Sequence, residues 1–152
     1  MNTERESKLN TLLGTQPSGI VLSSVWLTEQ GYSLDLQKQY KKSQWFDSIG
    51  TGALIRHGDQ VDYLGGIYAL QSQLGLFVHP AAKTALSLQG KAHYLELSTK
   101  KAQLFGGKDE SLPLWFKKRD WGLSVESKST SFLPPELGLV EIDHKSFKVK
   151  IS

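Results

Sequence analysis

The sequence predicts an α+β protein: three short helices and a hairpin at the N-terminus, followed by a small mixed α/β segment. Three observations point there. Leu9, Leu12 and Leu13 recur at helical spacing, Gly50-Thr51-Gly52 separates two strand-like runs, and residues 139–151 alternate apolar with polar across His144-Lys145.

The first helix is expected over residues 4–13, with Gly14 and Pro17 as stop signals. The apolar run Ile20-Val21-Leu22 leads to Ser23-Ser24, either of which can cap a second helix over 25–30. Gly31 ends that helix where left-handed backbone is cheap, and Ser33 can cap a third over 34–44. Helices joined by so short a turn containing a glycine meet the requirement of a helix-turn-helix. On the third helix, Tyr32, Leu36 and Tyr40 recur every four residues and form a buried face. Asp35, Lys38, Gln39, Lys41 and Lys42 are left on the other side. The turn Gly50-Thr51-Gly52 then joins two strands, and the order helix, helix, helix, hairpin is that of a winged helix-turn-helix, expected over residues 1–57.

Gly58-Asp59 marks the start of a second, mixed α/β domain over 58–152. A helix is expected over 61–75, with Tyr63, Ile67, Leu70 and Leu74 on one face. Its Gly65-Gly66 pair costs about 1 kcal/mol per glycine relative to alanine, so another backbone should approach closely there. Strands follow at 77–80, 92–98, 102–105 and 123–126, and helices at 81–89 and 114–120. The chain closes on a hairpin with one wet face.

Composition narrows the chemistry. With 152 residues, 39% hydrophobic and 22% charged, the chain can bury a core and is not intrinsically disordered. It has 0 cysteines, which excludes disulfides, thiolate nucleophiles and cysteine zinc sites. No leader-like or membrane-spanning run is present, so a cytoplasmic location is expected. His57, His79, His93 and His144 lack metal-ligand spacing, and no nucleophile elbow or phosphate-binding glycine loop occurs. Asp109-Glu110, beside Gly106-Gly107-Lys108, has the composition of a loop tip rather than of an acid/base pair. The expectation is a protein that is not an enzyme and needs no cofactor or metal.

Binding has more support. The net charge is only +3, but Lys38, Lys41 and Lys42 are three of the six cations before His57. In a helix-turn-helix the second helix enters the major groove while neighbouring cations meet phosphates, the role that suits these lysines. Gln39 can pair with adenine and Asp35 can accept from cytosine, with Ser33 also within reach of base edges. Thr51 at the hairpin tip and Arg56 at its base would lie along the adjacent backbone. A second cluster, Trp115-Phe116-Lys117-Lys118-Arg119-Asp120-Trp121, reads as core anchors whose charges face water.

Longer blocks carry a resemblance. Val25-Trp26-Leu27-Thr28-Glu29-Gln30-Gly31, Tyr40-Lys41-Lys42-Ser43 and Ser48-Ile49-Gly50-Thr51-Gly52-Ala53 resemble the N-terminal region of the AbiEi antitoxin family. Val61-Asp62-Tyr63-Leu64-Gly65-Gly66-Ile67-Tyr68-Ala69-Leu70-Gln71, Lys83-Thr84-Ala85-Leu86, Gly90-Lys91-Ala92-His93-Tyr94-Leu95 and Asp120-Trp121-Gly122 extend it over most of the chain. The resemblance implies a repressor that binds inverted repeats of double-stranded DNA in its own promoter. It also implies a type IV antitoxin opposing a nucleotidyltransferase-like toxin without a stable complex. The family often has Arg at the wing tip where Thr51 stands, and it continues into a helical antitoxin region, so residues 58–152 are expected to be truncated relative to it. The alternative is a non-DNA, protein-interaction module of an antitoxin.

Overall fold

A computed structural model describes residues 3–81, 84, 88, 101–130 and 139–151. The chain is mixed α and β, with five α-helices and eight strands among the described residues. In order they are α1 (Thr3–Thr15), β1 (Leu22–Ser23), α2 (Ser24–Glu29), α3 (Leu34–Lys42), β2 (Phe46–Gly50), β3 (Ala53–Arg56) and α4 (Tyr63–Tyr68). A π-helical turn (Ala69–Gln73) continues α4. Then come β4 (His79–Pro80), β5 (Lys101–Gly107), α5 (Leu114–Lys118), β6 (Ser124–Thr130), β7 (Val140–His144) and β8 (Phe147–Ile151). The helix expected over 81–89, the strand over 92–98 and His93 lie outside the described residues, apart from Thr84 and Leu88, which are helical.

Leu9 and Leu12 bury one face of α1 against the core, as their spacing requires. The turn between α2 and α3 is clamped to α1: Lys8 Nζ donates to the Gly31 carbonyl at 2.7 Å, and the Tyr32 hydroxyl donates to the Lys8 carbonyl at 2.8 Å. Burial raises the Tyr32 pKa, so the phenol stays a donor. Ser23 caps α2 by accepting from Trp26 N, and Ser33 caps α3 by accepting from Leu36 N at 3.1 Å. Helix α3 stops at Lys42 rather than Gln44, because Gln44 takes a left-handed conformation (φ 65°) and the Trp45 amide donates back to the Tyr40 carbonyl.

The first sheet has the order β1-β3-β2, all antiparallel. The inner edge of β1 pairs with β3, and its outer edge is met by a side chain: the Ser23 amide donates to Gln73 Oε1 (2.8 Å), and Gln73 Nε2 donates to the Val21 carbonyl (2.9 Å). Gln71, two residues earlier, does the same for β8. Its Oε1 accepts from Lys150 N and its Nε2 donates to the Lys150 carbonyl, both at 3.0 Å. The helix expected over 61–75 is thus capped by Asp62, which accepts from Leu64 N and Gly65 N, and gives way to the wider turn at Ala69.

The second sheet runs β4-β5-β6, with β5 and β6 parallel and joined through α5. Strands β7 and β8 form the C-terminal hairpin, with Phe147, Val149 and Ile151 buried on one face. Its turn sits at Lys145-Ser146, one position later than expected, and is held to the rest of the chain by His144 Nε2 with Asp62 Oδ2 (2.8 Å) and Lys145 Nζ with the Gln60 carbonyl (3.0 Å). One buried cluster spans the described segments, from Leu9 to Ile151.

Gly65 meets the expectation of a close backbone approach: a Cβ there would lie 2.2 Å from the Gly19 carbonyl oxygen. Gly66 is closed off by Phe116, 3.0 Å from its virtual Cβ. Gly65→Ala should therefore destabilise by about 3 kcal/mol through overpacking, whereas Gly14→Ala, with open space around it in α1, should gain up to about 1 kcal/mol; urea denaturation measures both.

His79 is buried, with Nδ1 donating to the Phe77 carbonyl at 2.9 Å and its ring edge-on to Phe77 and Phe105. Burial holds it below the ordinary imidazole value of 6.5, against the opposing pull of that carbonyl and of Glu110. On acidification the unfolded chain takes up this proton first, so the contribution is full above pH 6.5 and falls away below it. Stability should drop between pH 7 and the folded-state pKa, and His79→Gln should flatten that slope in pH-resolved melts.

Candidate nucleic-acid interface

The angle between α2 and α3 is fixed by Gln37, a polar residue buried inside the helix pair. Its Nε2 donates to the Tyr32 carbonyl at 2.7 Å and to the Thr28 hydroxyl at 3.2 Å, and its Oε1 accepts from the Ser24 hydroxyl. Those bonds reach the start, the end and the following turn of α2 from one side chain on α3. The remaining core face of α3 is Tyr40, which packs edge-on against Phe46 of β2 at 5.8 Å between centroids, with Leu36 half-buried beside it.

The opposite side of α3 and the tip of the β2-β3 hairpin enclose a cleft of about 580 Å³. Leu34, Lys38, Lys41 and the buried Gln37 line it from the helix, and Gly50 and Thr51 from the hairpin tip. Register shifts between Ser48 and Gly50, and Gly50 (φ 147°) and Gly52 (φ 92°) carry the backbone through conformations that side chains disfavour. The tip is braced from outside by α5: Trp115 Cβ lies 3.5 Å from a virtual Cβ at Gly50, and its Cδ1 lies 3.6 Å from one at Gly52. Trp115 and Phe116 are buried while Lys117 and Lys118 are exposed, the core-anchor arrangement expected of that cluster.

Of the residues expected to form a binding surface, the cleft brings together Lys38, Lys41 and Thr51. Lys42 is exposed but does not line it. The Ser33 hydroxyl is occupied by its cap. Asp35 Oδ2 accepts from Gln39 Nε2 at 3.0 Å, and Gln39 Oε1 is buried without a partner, so the two-point edge that adenine requires is not presented. Arg56 turns away from the cleft and donates to the Leu13 carbonyl (3.0 Å) and the Gln16 carbonyl at the end of α1. Sequence reading passed over Leu34, which is 68% exposed in the cleft; its spacing of four from Lys38 and seven from Lys41 was the available signal.

Other polar groups are committed elsewhere. His57 pairs with Asp47 at 3.0 Å and His144 with Asp62. Glu110 accepts from Phe77 N (2.6 Å) and Gly107 N (3.0 Å), which organises the tip at Asp109 (φ 66°). A larger cleft of about 630 Å³ is lined in part by Gln71 and Glu110, whose side chains are engaged as described, and by Lys150. Among the described residues no three His, Asp or Glu side chains gather as metal ligands, and no helix is long and apolar enough to cross a membrane.

Because Arg56 closes the C-terminus of α1, Arg56→Ala should cost about 2 kcal/mol, the worth of charge-assisted bonds to carbonyls; a denaturant midpoint unchanged from wild type would contradict this placement.

Comparison with known families agrees with the resemblance. Residues 5–97 match the model of the transcriptional regulator AbiEi antitoxin N-terminal domain. Residues 99–152 match that of the transcriptional regulator AbiEi antitoxin of type IV toxin-antitoxin systems. No curated protein matches the chain. Consecutive matches that between them run from residue 5 to residue 152 leave one assignment: the chain belongs to the AbiEi antitoxin family of transcriptional regulators.

Proposed function

We propose that this protein is a sequence-specific DNA-binding repressor that autoregulates a toxin-antitoxin operon through inverted repeats in its own promoter. Residues 1–57 act as a winged helix-turn-helix, with α3 in the major groove and the β2-β3 hairpin as the wing, and residues 58–152 form the second unit. The element order and the sheet order β1-β3-β2 support this reading: two short helices joined by a turn are followed by a hairpin, the order a winged helix-turn-helix needs.

The observation that carries it is the cleft, where Lys38 and Lys41 face the same space as Thr51. Neither lysine is paired with a carboxylate among the described residues. Lys41 and Lys42 also complement the C-terminal end of the α3 dipole, a role that needs no ligand. Lys38, in the middle of the helix, has no such role and exposes its amine beside the wing.

The same reading makes the protein the antitoxin of a nucleotidyltransferase-like toxin, acting without a stable complex. Support for it is the family's type IV description.

Gel-shift titration on a duplex from upstream of its own gene, repeated across a range of salt, tests the DNA-binding reading. Replacing both Lys38 and Lys41 by alanine should reduce the salt slope by about two, close to one unit per lost phosphate contact. An unchanged slope, or retention indifferent to sequence in the wild type, would favour a protein-interaction module instead.

A further inference from the structure

We propose that Leu34 reads the 5-methyl group of a thymine in the operator, which makes it a specificity-determining residue of the cleft. The inference rests on the DNA-binding reading above. Leu34 is the first residue of α3, directly after the Ser33 cap, and it is 68% exposed. It is in line with Lys38 and Lys41, so one stripe of the helix runs from an apolar N-terminal end to a cationic C-terminal end, and all three side chains line the cleft beside the wing.

The N-terminal residues of a recognition helix are the ones that meet base edges. Leucine has neither donor nor acceptor, and the one feature of a base-pair edge that it can match is the thymine methyl, which projects into the major groove. The amides of α3 and the hydroxyl of its cap are engaged within the protein, and the cations Lys38 and Lys41, which can meet phosphates or a guanine edge, have nothing that matches a methyl group. Gln37 is buried between the helices, Gln39 is bonded to Asp35, and the Ser33 hydroxyl caps the helix. Val25 is exposed to a similar degree at the start of α2 but does not line the cleft. It serves as the control for loss of apolar surface in general.

The test is a duplex from upstream of the gene in which each thymine in turn is replaced by deoxyuridine, removing only the methyl group. Wild-type binding should weaken about fourfold at one thymine in each repeat, the worth of one buried methyl-sized group. Leu34→Ala should weaken binding to the unmodified duplex to a similar degree, lose all sensitivity to uracil at that position and keep the wild-type salt slope. Val25→Ala should keep the wild-type uracil sensitivity. A wild type indifferent to every uracil, or a Leu34→Ala variant that loses a further fourfold at the same position, overturns the inference while leaving DNA binding intact. A wild type that shows no sequence-specific retention overturns the repressor reading, and this inference with it.

Discussion

The surface this protein presents depends on one buried amide. Gln37 is buried between the helices, and its donors and its acceptor reach the two ends of α2 and the turn after it. A buried amide costs free energy unless its hydrogen bonds are made, and few relative positions of two helices make all of these together. An apolar side chain would tolerate sliding or rotation of α3; the glutamine does not. The exposed stripe of Leu34, Lys38 and Lys41 inherits its direction from that restriction.

The hairpin opposite the stripe is held by different means. Its tip passes through glycines, which alone would leave it free to flex, but Trp115 of α5 packs against that backbone from outside. Residues beyond His57 therefore shape the hairpin. The Gly19 and Gly65 contact brings backbone against backbone at the other end of the first sheet, and Asp59, accepting from Gly19 N at 2.7 Å, fixes the same loop. Helix pair and hairpin are positioned by contacts distant in sequence.

Much of this was legible from short-range rules. Ser23 and Ser33 sit where caps are needed, Gly31 takes the left-handed conformation (φ 95°), and the alternation in residues 147–151 points Phe147, Val149 and Ile151 inward. Local chemistry determines such features, so local patterns reveal them. Gly65 was legible for the opposite reason, because two adjacent glycines inside a helix make sense only if something approaches closely. Arg56 and Gln39 were not legible in the same way. A long polar side chain chooses between solvent and several partners, and only the fold brings the carbonyls of Leu13 and Gln16 to Arg56. Leu34 was hidden by the rule that hydropathy signals burial, which fails for an apolar residue that the fold leaves exposed in a cleft. The parallel pairing of β5 with β6 follows from a crossover, and no local pattern encodes it.

The π-helical turn at Ala69–Gln73 has a consequence for how the chain tolerates change. Such a turn is equivalent to an α-helix with one residue inserted. Deleting that residue would restore regular spacing and swing everything after it about 100° round the axis, carrying Gln73 off the edge of β1. The irregularity is thus a register device, and a lineage that lost it would have to find a new neighbour for the strand that leads into α2.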